Sequence, residues 1–295
     1  QQVDVNAAQG DGATALHWTV YLNDADTTAL LIGAGANVSA PNNYGVTPLG
    51  LASKNGNAAI IEQLVRSGAD PQDPLHAVNA GETPLMLAAR SGQVDAVTWL
   101  LNVGADINVQ ETWNGQSALM WAAAEGHVPV VQTLIEHGAD IGARSNSGAT
   151  PLLFAARKGS MHAVRALLAA GSDVNEQRPD GATPLLVALI NGHEDLLDLL
   201  LEAGADPNVE GGSTRLTVQG MRAQPMPLEV RKLGYSEREG EGVSRGNIFG
   251  KPLQAAVHVA NWHISDQFIV VNLDRLRIIR SLLAHGADVN GEEIC

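Results

Sequence analysis

The sequence predicts an all-α repeat protein in which helix–turn–helix units stack into a solenoid. Two markers in one register support this prediction. The first is a heptapeptide such as "GETPLML", whose copies start 33 to 36 residues apart at Gly12, Gly45, Gly81, Gly115, Gly148 and Gly181. The second is "GAD" or a close variant, found at Gly35, Gly68, Gly104, Gly138, Gly171 and Gly204. Two independent markers that keep step make coincidence implausible.

Each unit is predicted to contain two short helices. A Thr or Ser followed by Pro or Ala starts the first helix, because the hydroxyl can cap free amides and Pro suits the first turn. Apolar residues then recur at helical spacing, as in "LMLAARSG", and the following Gly ends the helix. The second helix runs through segments such as "VPVVQTLIEHGAD". One such pair cannot bury its own apolar face, so neighbouring units must stack.

These motifs resemble the ankyrin repeat family, and the pattern "TPL…AA…G…LL…GAD" covers about 3–208 and 251–290. The resemblance implies an ankyrin helix–turn–helix solenoid of about seven repeats, with β-turn fingers along one edge. It also implies protein binding on the fingers and the inner helix face, without catalytic residues. We expect repeats 1–6 over 1–209, an irregular insert over 210–250, and a final repeat with an inter-helix insertion over 251–295. The two insertions indicate a natural, bacterial-type array.

Composition and charge exclude several functional classes. The formal net charge of −14 opposes binding to phosphate backbones and to anionic lipid surfaces, so we expect neither nucleic acid nor membrane as a partner. The single cysteine, Cys295, excludes an internal disulfide framework. Neither a long apolar run nor a signal peptide is present in the sequence. We therefore expect a soluble protein, cytoplasmic, or secreted or periplasmic if an N-terminal signal has been removed.

One unit contains Ser117, Glu125 and His127, the side-chain types of a hydrolase site. However, Ser117 occupies the helix-start column of the repeat, and His127 occupies a column that we interpret as the solvated start of the second helix. Trp121 occupies a column that we interpret as core, with Trp18, Leu51, Leu87, Phe154 and Val187. Because these positions recur as scaffold, we predict no catalytic residues and regard an enzyme as the disfavoured alternative.

The predicted partner-binding residues lie on the finger tips or just before the Gly that ends each first helix. These columns vary between units, whereas the scaffold columns do not. The candidates are Tyr21, Leu22, Tyr44, Lys54, Asn55, Arg90, Trp113, Asn114, Gln116, Glu125, Arg157, Lys158 and Asn191. The expected partner is another protein, because Tyr, Trp and Arg are enriched at protein hot spots. The cations would favour an acidic segment. Alternatively, Tyr44 and Trp113 pack on neighbouring fingers.

Two departures from the repeat leave alternatives open. The insert at 210–250 is either an excursion lying against the solenoid or a partner-binding arm. In the second case the protein would be a regulatory or inhibitory subunit that acts through the insert. His258, His263 and Asp266 have the residue types of a metal site, but their spacing does not place them on one helix face and no fourth ligand is evident. We therefore predict no metal and no cofactor.

Overall fold

The computed structural model describes residues 4–73, 81–209, 252 and 275–288. Within these ranges the secondary structure is helical, and the helices are seven to ten residues long. In chain order they are α1 (Ala15–Tyr21), α2 (Ala25–Gly33), α3 (Pro48–Asn55), α4 (Ala58–Arg66), α5 (Pro84–Arg90), α6 (Val94–Asn102), α7 (Ala118–Glu125), α8 (Val128–Glu136), α9 (Pro151–Lys158), α10 (Met161–Ala169), α11 (Pro184–Ile190), α12 (Glu194–Glu202) and α13 (Arg275–Ala284).

The helices form two rows. Helices α1, α3, α5, α7, α9 and α11 pack in sequence against one another, and we call them the inner helices. Helices α2, α4, α6, α8, α10 and α12 form the outer row, and α13 packs against α12. Each inner helix also contacts the outer helix that follows it. This arrangement confirms the predicted all-α solenoid of stacked helix pairs.

The core is one continuous hydrophobic cluster that runs through the stacked units. Its inner-helix column consists of leucines that are at most 2% exposed: Leu16, Leu49, Leu85, Leu119, Leu152 and Leu185. A second column consists of small residues that are completely buried: Ala52, Ala88, Ala122, Ala155 and Ala188. Burying one leucine side chain contributes about 1.5–3 kcal/mol, so the stacked Leu columns supply much of the driving force for folding.

The helix ends follow the predicted chemistry. The hydroxyl of Thr47 accepts a hydrogen bond from Gly50 N at 3.1 Å, and Thr83, Ser117, Thr150 and Thr183 cap their helices in the same way. After the inner helices come glycines with φ between 74° and 77°, at Gly56, Gly92, Gly126, Gly159 and Gly192. In the first unit Asn23 has this role with φ 61°, because Asn tolerates the left-handed conformation.

Side-chain amides join consecutive units along the turns that follow the outer helices. The amide of Asn175 donates to Gly204 O at 3.1 Å and accepts from Asp206 N at 2.8 Å. Matching pairs of bonds are made by Asn6, Gln72 and Asn208, and Asn108 accepts from Asp140 N at 2.8 Å in the same way. These residues form an amide ladder, which matches a donor and an acceptor of one unit to the turn of the next. The ladder therefore fixes the register in which units stack.

Ion pairs and a hydrogen bond to α12 hold α13 in place, although the residues from 210 to 251 and from 253 to 274 lie outside the described ranges. Arg277 Nη2 pairs with Asp195 Oδ1 at 2.9 Å and with Asp198 Oδ2 at 2.7 Å. Ser281 donates to Asp198 at 2.6 Å, and this bond chiefly holds the pKa of the Asp198 carboxyl below its usual range. Ile278 is buried beside these contacts. The extent of the insert and of the final repeat stays a prediction.

None of the helices in the described ranges combines the length and apolarity needed to traverse a bilayer.

His17 joins the first unit to the second. Its Nδ1 accepts from Thr14 N at 3.2 Å, and its Nε2 donates to Val46 O at 3.1 Å, which assigns the proton to Nε2. Burial is the main cause that lowers the pKa of His17 from 6.5. The imidazole is therefore neutral in the folded protein, because a proton on Nδ1 would remove the acceptor that Thr14 uses.

We predict that Asn175→Ala destabilises the protein by about 1–2 kcal/mol, because two hydrogen bonds between units are lost. Urea unfolding followed by circular dichroism measures the change. Asn102→Ala is the matched control, since Asn102 is exposed on the end of an outer helix and has no described side-chain bond. Equal stability of Asn175→Ala and the parent would show that the ladder does not contribute.

We predict that the first unit is less stable at acidic pH. Because the folded pKa of His17 lies below its unfolded value, the stabilisation is complete above about pH 6.5 and is lost as the pH falls through the folded pKa. Amide hydrogen exchange of α1 between about pH 7.5 and pH 5 measures this loss. His17→Met should abolish the pH dependence of exchange. Methionine is the residue that two later units have in this column, at Met86 and Met120. The same dependence in His17→Met would contradict the assignment.

Candidate partner-binding surface

The fingers are tight turns that precede the inner helices. In the finger at 42–46, Asn42 N donates to Val46 O at 3.0 Å and Gly45 N donates to Asn42 O at 2.9 Å. Equivalent pairs of bonds close the fingers at 9–13, 145–149 and 178–182. Backbone bonds also join fingers to each other, since Asn43 N donates to Asp11 O at 2.9 Å. The finger residues are therefore held on a connected, hydrogen-bonded edge.

Tyr44 and Trp113 project from this edge. Tyr44 is 59% exposed and Trp113 is 76% exposed. The alternative that both rings pack on neighbouring fingers is therefore disfavoured, because packing would cover most of each ring. Both side chains lie where the sequence placed them, on finger tips and accessible to a partner.

The finger that carries Trp113 has its own supporting residue, Glu111. This finger is one residue longer than the four described above, since Glu111 N bonds to Gln116 O at 3.0 Å across it. The buried Glu111 carboxylate accepts from the backbone amides of Trp113 at 2.6 Å, Asn114 at 2.9 Å and Gln116 at 3.0 Å. A carboxylate bound by three amides makes a rigid tip. Sequence reasoning missed Glu111, although the 34-residue spacing marked the longer finger.

A second apolar group lies at the end of α1. Tyr21 is 61% exposed and Leu22 is 69% exposed, as the sequence predicted for their columns. Trp18 lies edge-on to Tyr21, with ring centroids 6.0 Å apart and an interplanar angle of 84°. Trp18 is itself 41% exposed, so the interpretation of its column as core is wrong at the first unit, whereas Trp121 and Leu51 are partly buried and pack against the core. The column borders the inner surface, where an indole extends past the neighbours that cover a smaller side chain.

Arg90 is part of the scaffold. Its Nη1 pairs with Glu82 Oε1 at 3.0 Å, and the Glu82 side chain is 8% exposed. The guanidinium also lies over the Trp121 ring, 5.0 Å from its centroid. Because a buried carboxylate requires its partner, releasing Arg90 to another protein would be unfavourable.

The other predicted cations differ in their partners. Lys158 Nζ lies 3.9 Å from Glu125 Oε2, so these two candidates form a partly exposed pair. The Arg157 guanidinium lies 5.0 Å from the Phe154 ring centroid, and burial, then Arg178, lowers its pKa while leaving it charged. Lys54 is exposed. The expected attraction for an acidic segment therefore depends on Lys54 and Arg157.

The predicted amide side chains divide into two groups. Asn55 Nδ2 donates to Val20 O at 3.1 Å and Tyr21 O at 3.3 Å, and Asn191 Nδ2 donates to Val187 O at 2.7 Å. These two side chains donate to carbonyls in the last turns of inner helices, Asn55 across to the preceding unit and Asn191 within its own helix. Asn114 is exposed on its finger, and Gln116 is half-buried at the finger base.

The hydrolase side chains are engaged separately. Ser117 caps α7, accepting from Met120 N at 3.4 Å, and Glu125 pairs with Lys158. His127 Nε2 bonds to Arg90 O at 3.0 Å in the preceding unit. The interpretation of His127 as solvated is wrong, because this bond draws the imidazole into the junction between units, where it is half-buried.

Metal-ligating residues do not cluster in the part of the chain that the structure describes: no group of three or more His, Cys, Asp or Glu residues there could hold an ion. His258, His263 and Asp266 lie outside the described residues.

An open cleft of about 470 Å³ lies between the turns of the fourth and fifth units. Its lining includes Arg144, Ser172, Asp173 and Glu176. Glu176 is buried and its carboxylate accepts from the Thr150 hydroxyl. Burial is the main cause that raises the pKa of Glu176 above its usual value. The groove and finger candidates do not line this cleft.

We predict that Glu176→Gln raises the unfolding midpoint at neutral pH by a few degrees. Because the pKa of Glu176 is raised in the folded protein, the stabilisation that its carboxyl contributes is complete below about pH 4.5. It is lost as the pH rises through the folded pKa. The amide removes the cost of burying the charge and can still accept from Thr150. Thermal unfolding at about pH 7 and pH 4 checks this, and the gain should vanish at the lower pH. A lower midpoint at both pH values would contradict the prediction.

Comparison with known proteins agrees with the architecture. Copies of the ankyrin repeats model match residues 1–74, 72–145 and 141–210. The human ASB11 ankyrin repeat domain superposes with a TM-score of 0.64 at 24% identity, covering 70% of this chain and 89% of that domain, a likeness in fold alone.

Curated relatives share a short segment. Palmitoyltransferase AKR1 of Candida albicans is 36% identical over 70 residues, which is 24% of this chain and 9% of that protein. The enzyme of the same name from Candida glabrata is 34% identical over 68 residues, 23% of this chain and 9% of its own length. The chain thus matches under a tenth of these relatives. Since the family model spans more than half of the sequence and the helix pairs stack as described, the chain belongs to the ankyrin repeat family.

Proposed function

We propose that this protein is a protein–protein interaction scaffold, which binds a partner through the concave groove and finger tips and performs no catalysis. Ankyrin repeats generally act as protein–protein interaction modules. The observation that carries the proposal is the exposure of Tyr21, Leu22, Tyr44 and Trp113 at fixed positions of a hydrogen-bonded scaffold. Large rings and apolar side chains of this kind contribute most of the energy at protein interfaces.

The scaffold does not require apolar residues at these positions. In the column of Tyr21, later units have Lys54, Arg90, Ala124, Arg157 and Ile190. Stacking of the units is therefore compatible with polar residues in this column. The support of the Trp113 finger by Glu111 further favours binding, because a pre-ordered anchor loses little entropy on association.

The absence of catalysis in this proposal is supported by the separate engagement of Ser117, Glu125 and His127. Catalysis would need a nucleophile and a base in mutual contact. The acyltransfer activity in the name of the AKR1 relatives is not proposed for this chain, because the match covers 9% of their length.

We predict that Tyr44→Ala/Trp113→Ala/Arg157→Ala weakens partner binding by at least about tenfold, since truncating an interface hot spot costs 2 kcal/mol or more. The partner is first captured from a lysate of the source organism and then purified, and its Kd is measured for both chains. Leu30→Ala is the control, because Leu30 is an exposed apolar residue on the outer helix α2.

Unchanged binding by the triple variant would contradict the groove as the binding surface. Deleting 210–250 then tests the alternative of a regulatory or inhibitory subunit, which predicts that binding is lost with the insert.

A further inference from the structure

We propose that the partner inserts a large apolar side chain at Trp18, Tyr21 and Leu22, which we call the apolar rim, and pairs an adjacent carboxylate with Lys54. This inference rests on the proposed function and assigns the chemistry of the partner segment. It places the main anchor at the first unit and not at the centre of the groove.

The exposure of Tyr21 and Leu22 is not only a consequence of lying in the first unit, whereas the column of Trp18 is buried or half-buried in the later units. In units that have a preceding neighbour, the column of Leu22 stays exposed at Glu125, Lys158 and Asn191 and is half-buried at Asn55 and Ser91. The column of Tyr21 stays exposed at Lys54 and Arg157 and is half-buried at Arg90, Ala124 and Ile190. Leu30 behaves differently: it is largely exposed, whereas its equivalents are half-buried at Gln63, Trp99, Thr133, Ala166 and Leu199. Leu30 therefore belongs to the stacking face, and Tyr21 and Leu22 belong to the groove.

The apolar rim is fixed in place by its own unit and by the next one. Trp18 contacts Tyr21 edge-on, and Leu22 N donates to Trp18 O at 2.9 Å. The Asn55 amide reaches back to the carbonyls of Val20 and Tyr21. Rings held in this way keep their positions before a partner arrives, which lowers the entropic cost of binding.

Within the described array, only the first unit has apolar residues in both the Tyr21 column and the Leu22 column. The pairs in the later units each include a polar or charged residue: Lys54–Asn55, Arg90–Ser91, Ala124–Glu125, Arg157–Lys158 and Ile190–Asn191. A partner segment with large apolar side chains is therefore expected to dock at the first unit.

The positive charge of Lys54, next to the apolar rim, favours a carboxylate beside the apolar side chain of the partner. Lys54 occupies the Tyr21 column on α3, which packs against α1, and it forms no ion pair within the described residues. Arg90 and Lys158, by contrast, pair with Glu82 and Glu125.

The acid closest in sequence to the rim is Asp24, and its carboxylate is occupied at the start of α2. It accepts from Thr27 N at 3.0 Å and from the Thr27 hydroxyl at 2.6 Å. A carboxylate on the partner therefore meets an available cation beside the rim, and opposite charges at such a position favour one partner over others.

A random peptide library displayed on phage and selected on the full chain tests the proposal. We expect the enriched peptides to share a large apolar residue adjacent to Asp or Glu. A synthetic peptide with the enriched sequence should bind Tyr21→Ser/Leu22→Ser at least tenfold more weakly than the parent. Lys54→Gln should weaken binding several-fold and reduce its salt dependence. Leu30→Ser, the matched control on the stacking face, should bind like the parent.

A single substitution, Leu22→Lys, repeats the test without removing the contact between Trp18 and Tyr21, and thermal unfolding confirms that each variant is folded. Peptides that lack the apolar–acidic pair, or no enriched peptide, would overturn the inference. Binding that is unaffected by the substitutions at the apolar rim but is lost in Trp113→Ser would overturn the inference and leave the proposed function intact. Binding insensitive to every groove substitution would contradict both.

Discussion

The structure depends on the contact between consecutive helix pairs. No pair can cover its own Leu and Ala columns, so each unit is stable only against its neighbours. The amide ladder gives this non-directional stacking a register, because Asn175 matches one donor and one acceptor to Gly204 and Asp206 of the next turn. Asn208 makes the same match to the turn after α13, 78 and 80 residues along the chain, so this helix continues the array.

This contact also determines which surfaces are available. Polar groups at helix ends turn towards the neighbouring unit: Asn55 bonds to Tyr21 O, and His127 bonds to Arg90 O. Arg90 is held by Glu82 over Trp121. The scaffold thus uses several side chains that the sequence alone suggested as parts of a binding or catalytic site. Apolar side chains without such bonds, at the end of α1 and on two fingers, face solvent on this surface.

The charge of the groove is organised by the same neighbours. Glu125 and Lys158, which come from consecutive units, lie 3.9 Å apart and offset each other, so the middle of the groove presents little net charge there. The cation at Lys54 lies on α3, away from this pair, whereas the ring-stacked Arg157 lies on α9 next to Lys158. An acidic protein thus has two separate positively charged places on its inner surface, and the first borders the apolar rim.

The sequence by itself determined the fold class, the helix pairs, the Thr and Ser caps and the exposure of Tyr21, Leu22, Tyr44 and Trp113. These features are periodic or local, so columns of residues reveal them. Only the tertiary structure decided that Arg90, Asn55 and His127 serve the scaffold, that Trp18 and Trp121 reach the inner surface, and that Glu111 orders a finger. The partners of Asn55 and His127 lie 34 and 37 residues away, in another unit, and which side chain meets which depends on the packing of the inner helices.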